Sequence, residues 1–152
     1  AMTACLSFGT AGTAAAHAIQ YPVGAATHTA HGAGVACLLP YVMEYNLPGA
    51  IEAMAAVARA MGVATPNASA RDNAYAAIDA VARLFAEIGI PADLRALGLA
   101  EDKLAWTAEQ SMGAARLVKN NPRPLDVSVM RTIIDFAYSG DRTGLRKAMQ
   151  SY

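Results

Sequence analysis

Between Ser69 and Gly89 the apolar residues Ala74, Ile78, Val81, Phe85 and Ile88 recur every three or four positions, a spacing that an α-helix places on one face. The same spacing links Ile51, Met54, Val57 and Met61, ahead of Gly62 as a stop. Strict one-in-two alternation, the mark of a half-buried strand, is found nowhere in the chain. A sequence of 152 residues with this patterning predicts one all-α, multi-helix domain over 1–152, long enough to bury a core.

The punctuation fills in the remaining elements. A helix is expected from Met2 to about Gln20, ended or kinked at Tyr21-Pro22, because proline disfavours the α region at the residue before it. Gly24 to Ala30 reads as a loop, and a second helix runs from near His31 to Tyr45, interrupted or bent at Pro40. Pro66 to Ser69 forms a loop and cap for the helix that Gly89 closes, and a short helical turn from Pro91 ends at Gly98. One helix is expected from about Glu101 to Val118, with Leu104, Ala108, Ala115 and Val118 inward. The last main helix runs from an Asp126 N-cap to Tyr138, with Val127, Met130, Ile134 and Ala137 inward, and Leu145–Met149 adds a short terminal one. Phe85, Trp106 and the methionines read as core.

Several function classes fall away. Twelve basic residues balance twelve acidic ones, which removes the electrostatic case for nucleic acid or an anionic membrane surface. Every apolar run is broken well short of the roughly 20 residues needed to span a bilayer. No glycine-rich phosphate loop or nucleophile elbow occurs. Cys5 and Cys37 lie far apart in apolar surroundings, so buried, reduced thiols and a cytoplasmic location are expected, with Cys37 near a metal as a weaker alternative. Apolar residues make up 55% against 16% charged, too apolar for a free-standing monomer, so association with another subunit or domain is expected, as a homo-oligomer. The opening residues read like the middle of a helix, as in a fragment, although Ala1-Met2 also fits a cloning remnant before a true start.

Chemistry concentrates in one stretch. His17, His28 and His31 are the only histidines, and a Pro/Gly reversal between helices can turn His17 and His31 into one crevice. Imidazole suits first-row divalent metals, but a catalytic site normally has three protein ligands, so spacing alone favours ordinary, partly buried histidines. The residues HAIQYPVG, THTAHG and LLPYVMEYN, together with EIGIPADLRALGL and KNNPRPLD further on, closely resemble the group III, iron-containing alcohol dehydrogenases. That family shows a histidine, a second one fourteen residues later followed by glycine, and then an LPxVMxYN helix; His17, His31 and Gly32 stand at those positions.

The resemblance implies the C-terminal helical domain of a dehydroquinate synthase-like enzyme, without the N-terminal α/β domain that binds NAD(P). It implies that His17 and His31 ligate a divalent metal, Fe or Zn, and that the intact enzyme interconverts a small alcohol and its aldehyde or ketone. The other two family ligands, a DxxxH pair, are missing from this chain. Many relatives carry a further histidine four residues after the first ligand as a proton relay; Tyr21 stands there, with a phenol pKa near 10. His28 reads as an active-site wall or proton carrier, or as a solvent-facing loop residue. Asn120, Asn121 and Arg123 read as a turn fixing the approach to the last helix. On this reading the isolated chain is inactive; the competing reading is a stand-alone helical interaction module, its histidines relics or pooled between two chains.

Overall fold

The computed structural model describes residues 2–150, and the reading of Ala1 as part of a cloning remnant lies outside the described residues. Nine α-helices follow one another among those residues, without a strand. They are α1 (Met2–Ala11), α2 (Ala15–Thr27), α3 (His31–Asn46), α4 (Ile51–Ala60), α5 (Ala70–Glu87), α6 (Leu104–Ser111), α7 (Ala115–Lys119), α8 (Val127–Ser139) and α9 (Arg142–Gln150). The expected all-helical class is what forms.

The caps are where side chains can supply them. The Ser69 hydroxyl accepts from the Asp72 amide at the start of α5, and the Asp126 carboxylate accepts from the Val129 amide at the start of α8. Gly62 and Gly89, past the ends of α4 and α5, take the positive φ that glycine permits.

Several expectations need correction. Pro22 does not end the first helix; it sits buried inside α2, which runs on to Thr27. The break falls earlier, at Gly12 (φ +77°), so the expected helix of 2–20 is two helices and the expected loop of 24–30 shrinks to 28–30. Burying Ala18, Ile19, Pro22 and Val23 against the neighbouring helices outweighs the amide donor that proline lacks. Pro40 is likewise carried inside α3. The helix expected over 101–118 is a 3₁₀ turn at Glu101–Lys103 followed by α6 and α7, parted at 112–114 around Gly113.

The main core lies where α2, α3, α6 and α8 meet, with Ile19, Leu38, Leu104, Met130, Ile133 and Ile134 in it. Leu117, rather than Ala115 or Val118, is the buried residue of α7. Val127 (44% exposed) and Trp106 (38%) face outward, against expectation, as do Val57 of α4, Met61 just past α4 and Ile88 just past α5. Cys5 is exposed rather than buried. The hairpin has its own small core of Leu47, Met54, Ala74 and Ile78.

A buried carboxylate ties the hairpin to the rest. Glu44 of α3, fully enclosed, accepts from Arg142 at 2.5 Å and from Arg146 at 2.7 Å, and both arginines also reach Asp79 of α5. The Arg146 guanidinium lies over the Tyr75 ring, 4.4 Å from its centroid. Four helix-borne charges thus hold α3, α5 and α9 in register.

Candidate metal centre

His17 stands on the first turn of α2 and His31 is the first residue of α3, so the turn of chain between the helices decides whether they meet. His28 caps α2 in the left-handed conformation, φ 56°, and its amide donates to the Gly24 carbonyl. Thr27 and Thr29 share a 2.6 Å hydrogen bond, and the Thr29 hydroxyl donates to the Leu97 carbonyl, fixing the turn to the body of the domain. The result places the His17 and His31 rings 5.2 Å apart between centroids, tilted at 57°.

The pair opens into a cleft of about 820 Å³. Its far wall is the Gly9–Thr13 turn together with Arg116, Lys119 and Asn120. Asn120 builds that wall: its amide donates to the Ala11 and Thr13 carbonyls, and a Cβ on Gly12 would stand 2.9 Å from Asn120 Nδ2. Glycine is required there twice, by its positive φ and by this close approach.

Burial first, and then the neighbouring His31, hold the His17 pKa below its ordinary value. A neutral imidazole is the form that donates a lone pair to a metal, and with the two rings 5.2 Å apart the His17–His31 pair could fill two positions of a coordination shell. It does not fit a whole one: among the described residues no group of three or more His, Cys, Asp or Glu side chains is placed to hold a metal. Cys37 is no substitute. It lines a different cavity of about 160 Å³ with Tyr41 and Phe85, and burial, then Asp93, push its thiol up to about 12.

The other sequence-picked residues part company. Tyr21, one turn after His17 and 55% exposed, lies nearly parallel to the His31 ring at 6.3 Å. His28 is exposed at the turn and lines no part of the cleft. Asn121 and Arg123 do set the approach to α8: Asn121 pairs with Asn46, while Arg123 donates to the Tyr45 carbonyl at 2.6 Å and stacks on the Tyr45 ring. Tyr45 also donates to the Pro124 carbonyl. Asn120 instead reaches back to the α1–α2 turn. The placing of Arg116 and Lys119 on the cleft had no local signal beyond their three-residue spacing.

Residues 1–138 match the family model described as Fe-containing alcohol dehydrogenase family, C-terminal. The chain is 34% identical over 135 residues to long-chain-alcohol dehydrogenase 1 of Geobacillus thermodenitrificans, covering 89% of the chain and 34% of that protein. It is 38% identical over 122 residues to a 1,3-propanediol dehydrogenase of Citrobacter freundii, covering 80% of the chain and 31% of that protein. Among solved structures, an alcohol dehydrogenase from Oenococcus oeni superposes with a TM-score of 0.85 at 32% identity, over 90% of the chain and 36% of that one. The chain spans about a third of the length of the curated relatives it matches.

Proposed function

The chain belongs to the Fe-containing alcohol dehydrogenase family, as its C-terminal domain, and on that premise we propose that His17 and His31 are two ligands of a divalent metal in an NAD(P)-dependent alcohol dehydrogenase or aldehyde reductase. The observation that carries this is the ring pair, 5.2 Å apart at the edge of a large cleft, with His17 held toward its neutral form. Iron or zinc at this position supplies Lewis acidity toward the oxygen of an alcohol or carbonyl.

The chain's own residues do the rest of what can be assigned to it. His17 presents a lone pair from the first turn of α2, and His31 from the start of α3, which the Thr27–Thr29–Leu97 hydrogen bonds brace. Tyr21, against His31, can donate or accept a hydrogen bond at the substrate oxygen. His28, exposed on the turn outside the cleft, serves as a proton carrier between the site and solvent.

The nicotinamide cofactor is bound mainly outside this chain, and so are the remaining metal ligands. The unit of residues 1–152 is therefore one helical domain of a larger, cytoplasmic, homo-oligomeric enzyme, inactive alone. Outward-facing Leu6, Val57, Leu84 and Ile88 support its association with other protein surface. No helix among the described residues is long and apolar enough to cross a membrane.

Isothermal titration of the chain with Zn²⁺ tests the reading. Binding that His17→Ala and His31→Ala each abolish, and His28→Ala leaves intact, is the expected result. A stoichiometry of one metal per two chains would instead favour pooling of histidines between copies. Binding indifferent to both ligand substitutions overturns the assignment, and absence of binding favours relic histidines or a site that only ligands outside this chain complete. NADH and an aldehyde added to the Zn²⁺-loaded chain should give no turnover.

A further inference from the structure

The cleft beside the histidine pair has a one-sided charge. Arg116 and Lys119, three residues apart on one face of α7, both line it, and no carboxylate does among the described residues. Neither cation forms an ion pair in the described structure; the arginines that do are Arg131, Arg142 and Arg146. They also lie in the last turn of α7, where cations complement the helix dipole. That helix has only five residues, however, and one cation would suffice. Asn120, locked to the Ala11 and Thr13 carbonyls, anchors the end of α7 to the wall that faces His17. The two charges are thus presented to the cleft by a braced backbone.

We propose that this cleft selects substrates carrying a carboxylate, which Arg116 and Lys119 hold while the hydroxyl or carbonyl end is handled at the histidine side. The substrate class is then a small hydroxy acid and its oxo acid, in place of a simple alcohol and aldehyde. Guanidinium pairs with carboxylate through two parallel hydrogen bonds, and a nearby ammonium adds a second charge without needing fixed geometry. A cavity of about 820 Å³ leaves ample room for such a molecule. Phosphate shares the same chemistry, so a phosphate group of the cofactor is the competing source of the anion. This inference rests on the metal-site reading only for the placing of the reacting end.

The test compares 3-hydroxypropionate with 1,3-propanediol, molecules of the same chain length that differ in one carboxylate. The purified chain, isotopically labelled, is titrated with each while the Arg116 side-chain N–H and the His17 ring signals are followed by NMR. The expected result is binding of the acid at least about tenfold tighter than the diol, weakened by added salt. Arg116→Gln with Lys119→Gln should remove the preference, and Arg116→Lys with Lys119→Arg should keep it; unchanged circular dichroism shows that each variant is folded. Equal affinity for acid and diol, or no response to either up to about 50 mM, which corresponds to under 2 kcal/mol of binding, overturns the proposal. So does inorganic phosphate that binds more tightly and displaces the acid, since the cations would then serve a phosphate. A parallel Zn²⁺ titration keeps the two readings apart: loss of the metal response with the acid preference intact sinks the metal site alone, and the reverse sinks only the carboxylate site.

Discussion

Asn46 and Asn121, 75 residues apart in sequence, lay their side-chain amides face to face and exchange two hydrogen bonds of 3.0 and 2.7 Å. Asn46 ends the helix that begins at His31, and Asn121 opens the turn that follows the cleft-lining α7. A second bond from Asn121 to the Arg123 carbonyl, and the stacking of Arg123 on Tyr45, complete the clamp. The two recognisable motifs of the sequence, one at the end of α3 and one before α8, are therefore halves of one joint.

Removing Asn121 leaves the buried Asn46 amide without its partner, and removing Asn46 leaves the half-buried Asn121 with only its bond to the Arg123 carbonyl. Asn121→Ala should destabilise the chain by about 1–3 kcal/mol in urea unfolding, and Asn46→Ala by a similar amount. The double variant should fall well short of the sum, because the two residues share one interaction. Additivity within error would show that the pair is not coupled.

The buried Glu44 makes a larger prediction. Arg146→Met withdraws the cation that grips both Glu44 oxygens and leaves an enclosed carboxylate with Arg142 alone. Loss of about 3 kcal/mol is expected, at the low end for breaking a buried ion pair because Arg142 remains. Equilibrium unfolding by guanidinium measures it, and a loss under about 1 kcal/mol would mark the network as surface-like.

Asp79 should make the fold acid-sensitive. Burial raises its pKa, but hydrogen bonds and charge from Arg146 and Arg142 outweigh that and hold it below its ordinary value. A carboxyl depressed in this way stabilises the fold above its unfolded pKa, and that contribution is lost as pH falls through the folded one. Thermal stability should decline below about pH 4, and Asp79→Asn should flatten that part of the profile while lowering stability at pH 7. A variant with the parent's acid profile would refute the linkage.

Gln20 and Gly34 should behave as a unit. Gln20 is 2% exposed, its Oε1 has no hydrogen-bond partner, and a Cβ on Gly34 would run into its amide. Gly34→Ala ought to gain about 1 kcal/mol from helix propensity, yet the collision should make it a net loss of about 1 kcal/mol. Gln20→Ala with Gly34→Ala should recover or exceed the parent's melting temperature, since it removes both the collision and the orphaned carbonyl. If Gly34→Ala alone stabilises, the amide has room to move aside.

What could be read from residues alone was what depends on neighbours within a turn or two. The stripe from Ala74 to Phe85 and the caps at Ser69 and Asp126 formed as expected, because helix periodicity and capping are local. His17 and His31 could be singled out from their motif, although their spacing carried no decision by itself.

Only the tertiary structure decided where faces point and which breaks matter. Pro22 reads as a stop, but burial of α2 against its neighbours carries the helix through it, and Gly12 breaks the chain instead, because Asn120 approaches from 108 positions away. Val127 and Trp106 read as inward, and the packing left them outside, since an apolar residue is buried only where another element arrives to cover it. The cleft follows the same logic. Its histidines were legible as a sequence pattern, whereas Arg116 and Lys119 joined them only when α7 folded back onto the turn between α1 and α2, a contact that no local rule encodes.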